Sequence, residues 1–257
     1  MPTPFYHLSV AHELFTHSGL GTGPRTLLNE HRPAFLLGKT APDVQSISGQ
    51  KREETHFYVL PPEDATPAWQ RLQRAHPQFR QSMPPAHAVF LTGYYCHLQA
   101  DEAWLRDIFL PYFYVSDWAD FAERMYLHNV LRSYLDREVL ENLPGNTVSE
   151  LAKARPNNWL PFVTDTNLRR WRDYLAEQLV PGASNYTVEV FAKRQSIPVE
   201  DYLALLNSRE RMDAEVFTHV PYSVFEGYRK ALVEANLQLI EQEVSKLAES
   251  NNENTGI

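Results

Sequence analysis

Apolar residues recur three and four positions apart along almost the whole chain, while the alternation of a half-buried strand is nearly missing, so the sequence predicts an all-α protein. Proline and glycine mark where the helices begin and end. A first helix is expected from Phe5 to His17, stopped by Gly19, Gly21 and Gly23, and a short helical piece around Phe35 leads into LGKTAPDVQ, which reads as a loop. Pro67 can open a helix to Ala75, and Pro84-Pro85 can open a long one to Phe109, because a helix start needs no N–H from its first residue. Ser116 is a candidate N-cap for a helix to Glu141, where Pro144 and Gly145 break the pattern. Further helices are expected over Thr147–Ala154, Asn167–Leu179, Val199–Phe217 and Tyr222–Leu247. With 43% hydrophobic and 12% aromatic residues in a 257-residue chain, residues 1–247 can bury one large core, and the polar stretch 248–257 is expected to be a disordered tail.

Charge and cysteine content narrow the function. A formal charge of −8 without a dense Lys/Arg run argues against a sequence-independent grip on nucleic acid, which needs a cationic surface to release counterions. The single cysteine, Cys96, sits mid-helix as a small hydrophobe and gives no internal disulfide framework. The start MPTPFYHLSVAHELF has no basic, then apolar, secretion signal, and no segment approaches the roughly 18 apolar residues of a membrane span. The expected location is the cytoplasm.

Within the long helix, the stretch GYYCHLQADEAW (Gly93 to Trp104) puts His97 and Asp101 one turn apart on one face. Gly93 lies one turn earlier on that face and leaves room for another helix or a ligand. Tyr94, Tyr95, Leu98, Trp104 and Leu105 cover much of the remaining circumference, so the polar pair is expected to be buried and to need partners. A cation would serve, since imidazole and carboxylate are ordinary zinc ligands; a hydrogen-bonded His-Asp pair would serve too. Two other stretches carry similar residues. In FLLGKTAPDVQ, Asp43 follows the stiffening Pro42, and in REETHFY, His56 stands between Thr55 and Phe57.

The order of FYHLSVA, LGKTAPD, THF and GYYCHLQADEAW resembles the zinc-dependent phospholipase C family, over somewhat less than half of the chain. That resemblance implies an all-α fold holding a zinc cluster that hydrolyses phosphodiesters or phosphomonoesters. It implies that Asp43, His56, His97 and Asp101 share a metal site, with His7 beside Asp101 on a neighbouring ion and Asp101 bridging. The family completes a second metal with later residues that include a His-x-x-x-Glu pair; here the histidine of the following helix is His128, and Arg132 stands four residues on. Asp107, Glu123 and His128 are the substitutes at hand, and His128 is taken as the further metal ligand. One zinc ion or two is expected.

In such a site the cation polarises a phosphoryl oxygen and acidifies a water, and Asp43 is the candidate general base, its other role being ligand alone. Arg25, Lys39 and Arg52 lie close in sequence to proposed ligands and could hold phosphate, although solvated surface charges are the commoner reading. His12 and His17 share the first helix with His7 but point elsewhere around its axis. The aromatic run PYFYVSDW (Pro111 to Trp118) suits either a substrate groove or core packing. Three classes follow: a zinc-dependent hydrolase of small-molecule or lipid phosphoesters, a metal-binding protein without turnover, and a helical phosphohydrolase of the His-Asp type. The last needs an adjacent His-Asp dipeptide, which the sequence lacks.

Overall fold

The computed structural model describes residues 1–60, 64–180 and 186–253, and every regular element among them is helical. The helices are α1 (Pro4–Thr16), α2 (Thr22–Glu30), α3 (Arg32–Gly38), α4 (Gln45–Ser48), α5 (Arg52–His56), α6 (Ala68–Ala75) and α7 (Pro85–Trp104). They are followed by α8 (Phe121–Leu140), α9 (Thr147–Leu151), α10 (Asp165–Gln178), α11 (Thr187–Gln195), α12 (Val199–Leu206), α13 (Arg209–Arg211) and α14 (Tyr222–Glu253). One buried hydrophobic core runs through them, from Phe5 to Val244. None of these helices is long and apolar enough to cross a membrane.

Helix α7 is the central element, buried on nearly every side from Ala88 to Trp104. Two glycines explain how tightly α3 crosses it. A Cβ on Gly93 would lie 2.7 Å from the Phe35 carbonyl oxygen, and one on Gly38 only 2.0 Å from that of Phe90. Only glycine on both helices permits this backbone approach. Helix α14 packs on the other side of α7, where the Tyr228 hydroxyl donates to the Ala100 carbonyl at 3.0 Å. A polar chain crosses the same contact: Lys39 Nζ donates to Asn236 Oδ1 at 2.8 Å, and Asn236 Nδ2 donates to Gln99 Oε1 at 2.7 Å.

Several expected boundaries move for local reasons. The long helix leaves α geometry at Leu105 and continues to Tyr114 as a π-helical stretch containing Pro111. Proline cannot join an α ladder, and here the ladder slips by one residue, so that the Val115 N–H reaches the Leu110 carbonyl at 3.0 Å. The cap of α8 is Asp120, whose carboxylate accepts the Glu123 N–H at 2.9 Å, and not Ser116, whose hydroxyl turns back to the Pro111 carbonyl. Helix α1 ends at Thr16, just before the Gly19–Gly23 cluster, and a further helix starts within that cluster, with Gly21 capping α2 and Gly23 inside its first turn. The segment expected as one helix from Val199 to Phe217 is divided at Asn207, with Ser208 capping α13. Helix α14 continues to Glu253, beyond the expected Leu247, and residues 254–257 of the expected tail lie outside the described residues.

Candidate metal centre

Four separate elements bring five side chains to one point against α7. His7 comes from α1, which Thr3 caps and Pro4 starts; Asp43 comes from the 3-10 turn Ala41–Val44; His56 is the last residue of α5. His97 and Asp101 project from α7 itself. Phe57 ends α5 in the left-handed region, at φ 57°, which costs an aromatic residue roughly 1 kcal/mol and is secured by edge contacts with His76 and Phe162. The turn carrying Asp43 is fixed by Trp171 of α10, whose indole N–H donates to the Thr40 carbonyl at 2.9 Å.

The geometry is that of a donor cluster and not of a hydrogen-bonded network. His7 Nε2 lies 3.5 Å from Asp101 Oδ1, His56 Nε2 lies 3.5 Å from Asp43 Oδ1 and from Asp101 Oδ2, and His97 Nε2 lies 3.8 Å from Asp101 Oδ2. These separations exceed a good N–H···O bond, yet they approach the edge of a tetrahedron of zinc ligands, about 3.3 Å for bonds near 2.0 Å. The donors form two triplets, His7-His97-Asp101 and Asp43-His56-His97, each with its ligand atoms within 4.8 Å of one another. His97 belongs to both. The rings of His7 and His97 stack with centroids 3.9 Å apart.

Burial makes the unsatisfied atoms expensive. His56 and His97 are fully buried, and His7 and Asp101 are 1% exposed, yet Nε2 of all three histidines and Oδ1 of Asp101 have no hydrogen-bond partner. Each such atom costs on the order of 1–3 kcal/mol unless something fills the gap. The other ring nitrogens explain the orientation. His97 Nδ1 is 2.9 Å from the Lys39 carbonyl and His56 Nδ1 is 3.3 Å from the Arg52 carbonyl, so each Nδ1–H donates outward and each Nε2 lone pair faces the cluster. Burial holds His7 and His97 below the usual imidazole range, so both are neutral and competent as ligands. Burial pushes the carboxyls of Asp43 and Asp101 up, yet both are held below the usual carboxylate range, Asp101 with the Arg52 guanidinium paired to its Oδ2. His7 and His97 therefore offer neutral nitrogens and Asp43 and Asp101 ionised oxygens, a donor set suited, with His56, to zinc or a similar divalent transition metal.

Asp101 has a second set of partners. Arg52 forms a short ion pair with Oδ2, and the Tyr58 hydroxyl lies 3.3 Å from the same oxygen. Arg52 Nη2 also donates to the Tyr58 oxygen at 2.8 Å, and its guanidinium sits 4.8 Å from the ring centroid. Beyond Arg52 and the 19%-exposed Asp43 lies a cavity of about 380 Å³. Asp43 and Arg52 are the two residues common to cluster and cavity. Arg132, Trp171, Tyr174 and Phe191 line its other walls.

Of the six residues expected as ligands, His7, Asp43, His56, His97 and Asp101 come together and His128 does not. His128 Nε2 accepts the Trp104 indole N–H at 3.0 Å, and the ring lies 5.0 and 4.8 Å from those of Phe109 and Phe113. Its nitrogen is already used. Lys39 and Arg52, read as surface charges, are respectively fully buried on Asn236 and paired with Asp101, while Arg25 donates to the carbonyls of His17 and Leu20. His12 bonds Thr147 Oγ1 at 2.9 Å and His17 Nδ1 accepts the Gly19 N–H, both away from the cluster. Within PYFYVSDW, Trp118 stacks on His219, so that run packs and lines no part of the cavity. Tyr58 and the Lys39 carbonyl were missed; their sequence signal was only proximity, two residues after His56 and four before Asp43. Compared with models of known protein families, with curated proteins and with solved structures, the chain matches none.

Proposed function

We propose that the chain is a metal-dependent hydrolase of phosphoric esters, holding zinc, as one ion or two, on His7, Asp43, His56, His97 and Asp101. The observation that carries this reading is the set of buried, unpartnered donor atoms directed at one another beside a cavity that Asp43 enters. A divalent cation, when bound, supplies polarisation of a phosphoryl oxygen and acidifies a water toward neutral pH. Asp43 is the ligand-side carboxylate that reaches the cavity, so it orients the attacking water and accepts its proton. Arg52 and Tyr58 fix Asp101, and the carbonyls of Lys39 and Arg52 fix His97 and His56, so these three donors are held before any cation arrives. The substrate class is a small-molecule or lipid phosphoester, and the net charge of −8 disfavours nucleic acid.

The test uses protein purified without a histidine tag. Metal content is measured by mass spectrometry, and aryl phosphomonoesters and phosphodiesters are assayed alongside the His97→Ala variant. The expected outcome is bound zinc or a similar metal, ester hydrolysis that a chelator abolishes, and loss of both in the variant. Activity that survives both chelation and His97→Ala would place the chemistry elsewhere.

A second reading, a metal-binding protein without turnover, is favoured by one feature: Arg52 already engages Asp101 Oδ2, the oxygen that faces His56 and His97. Metal retained with no hydrolysis of either ester class would select it.

A further inference from the structure

Arg132 is a cation of the cavity wall that, among the described residues, has no carboxylate in ion-pair contact. It projects from α8, with Nη1 donating to Asn129 Oδ1 at 3.0 Å and the guanidinium 4.4 Å from the centroid of the Phe191 ring. These two contacts fix the group's plane. Its Nε is shielded from solvent and has no partner. Among the described residues no carboxylate forms an ion pair with it. The acid one turn along the helix, Asp136, is fully buried and has both oxygens engaged, by the hydroxyls of Thr3 and Thr187. Burial pushes that carboxyl up to about 8, so at neutral pH it offers Arg132 little countercharge. The half-buried guanidinium stays charged, and its shielded Nε–H is left without an acceptor that an anion in the cavity would supply. Asp136, Asp43 and Asp101 lie within electrostatic reach of Arg132, and Arg132 lines the same cavity as Asp43.

We propose that Arg132 holds the anionic phosphoryl oxygens of the substrate, and that the substrate is a phosphate ester whose organic group is apolar and lies against Trp171, Tyr174 and Phe191. The phosphoryl group then sits between the cluster and Arg132, so that a fixed guanidinium neutralises charge on its oxygens. A planar fork of donors suits two oxygens of one phosphate better than a point charge does. The organic group is directed away from the metal ligands, toward the aromatic wall, and a cavity of about 380 Å³ accommodates it at small-ligand size. This rests on the reading of the cluster as a phosphoesterase centre for its choice of anion.

The test measures binding of inorganic phosphate and of phenyl phosphate, through the fluorescence of Trp171 in the cavity wall and by calorimetry. The proteins are the metal-loaded wild type, Arg132→Gln and Arg132→Lys, with metal content and melting temperature recorded for each. Phenyl phosphate is expected to bind more tightly than inorganic phosphate. Arg132→Gln is expected to weaken both by on the order of tenfold to a hundredfold with metal content unchanged, and Arg132→Lys to restore part of the loss. If Arg132→Gln holds metal and binds both anions as the wild type does, Arg132 is not the anion site while the metal centre stands. If the wild type binds no metal yet shows the same dependence on Arg132, the anion site stands and the metal reading fails. Equal affinity for the two probes would overturn the apolar wall as a binding surface.

Discussion

Two buried histidine environments follow one another along α7 and its continuation, one at His97 and Asp101 and one from Trp104 onward, and they differ in a way that separates packing from chemistry. At the first, His7, His56 and His97 turn three Nε2 atoms toward one another and toward two carboxylates, and none of the three has a hydrogen-bond partner. At the second, His128 is equally removed from water but its Nε2 takes the Trp104 indole N–H, and the aromatic rings of Phe109 and Phe113 close around it. The lesson is that burial of a histidine says little by itself; what its outward nitrogen lacks says more. The comparison breaks most sharply through metal affinity. His97→Ala removes a donor common to both triplets and is expected to weaken metal binding by well over about 100-fold, more than the usual cost of an outer partner. His128→Phe is expected to leave metal content unchanged. Titration with a chromophoric chelator decides it, and equal losses in the two variants would erase the distinction.

How much of this could be read from the chain differs between the same two places. The i, i+4 pair His97 and Asp101 was legible because helical periodicity alone puts both on one face, and Gly93 marked the gap beside them. The structure fills that gap with α3, whose C-terminal end then presents the Lys39 carbonyl to His97. Asp43, His56 and His7 came from resemblance of motifs, since nothing in local spacing says that α1, a 3-10 turn and α5 meet. His128 was misplaced because its fate is set by the register slip after Leu105, which turns Phe109 and Phe113 onto it. No spacing rule applied in α8 could have shown that. Arg132 was noted only as the residue where a glutamate was expected, and its lack of a counterion is a tertiary fact.

The helix crossing that supports the first environment gives the next largest effect. A methyl group on Gly38 or Gly93 would have to displace backbone, not a flexible side chain. Gly93→Ala is expected to destabilise the protein by about 3 kcal/mol, at the upper end for an overpacked core, and Gly38→Ala by more, because its Cβ meets Phe90 more closely. Urea unfolding followed by circular dichroism measures both. A Gly93→Ala protein of unchanged stability would mean that α3 and α7 can separate, and the Lys39 carbonyl would then no longer fix His97.

A milder change acts on the second environment alone. Trp104→Phe keeps an aromatic ring where Trp104 packs against Tyr228 and Phe225, but it deletes the N–H that His128 accepts. The expected loss is about 1–3 kcal/mol, the cost of a buried acceptor left unpaired, with metal affinity unaffected. Loss of metal together with stability would show that the two environments are coupled through α7.

The smallest effect is the share of the pH dependence of stability that comes from His12 and His128, neither of which belongs to the cluster. Burial lowers His12 to about 4 and holds His128 well below the ordinary imidazole value of 6.5, the latter helped by Arg132. In the unfolded chain both take up a proton near 6.5; in the folded protein they stay neutral to lower pH. Through these two groups the unfolded state binds more protons in the window below 6.5, so their contribution to stability falls as the pH drops through it, against the opposite contribution of Asp136, whose buried carboxyl is pushed up to about 8. Above that value neither group contributes a slope. Comparing the urea midpoint at pH 7.5 and pH 5.5 in metal-free wild type and His12→Gln isolates the His12 share: the variant should be the less acid-sensitive of the two. Equal acid sensitivity in wild type and His12→Gln would mean that His12 takes up its proton in the folded protein as readily as in the unfolded chain, against its burial beside Thr147.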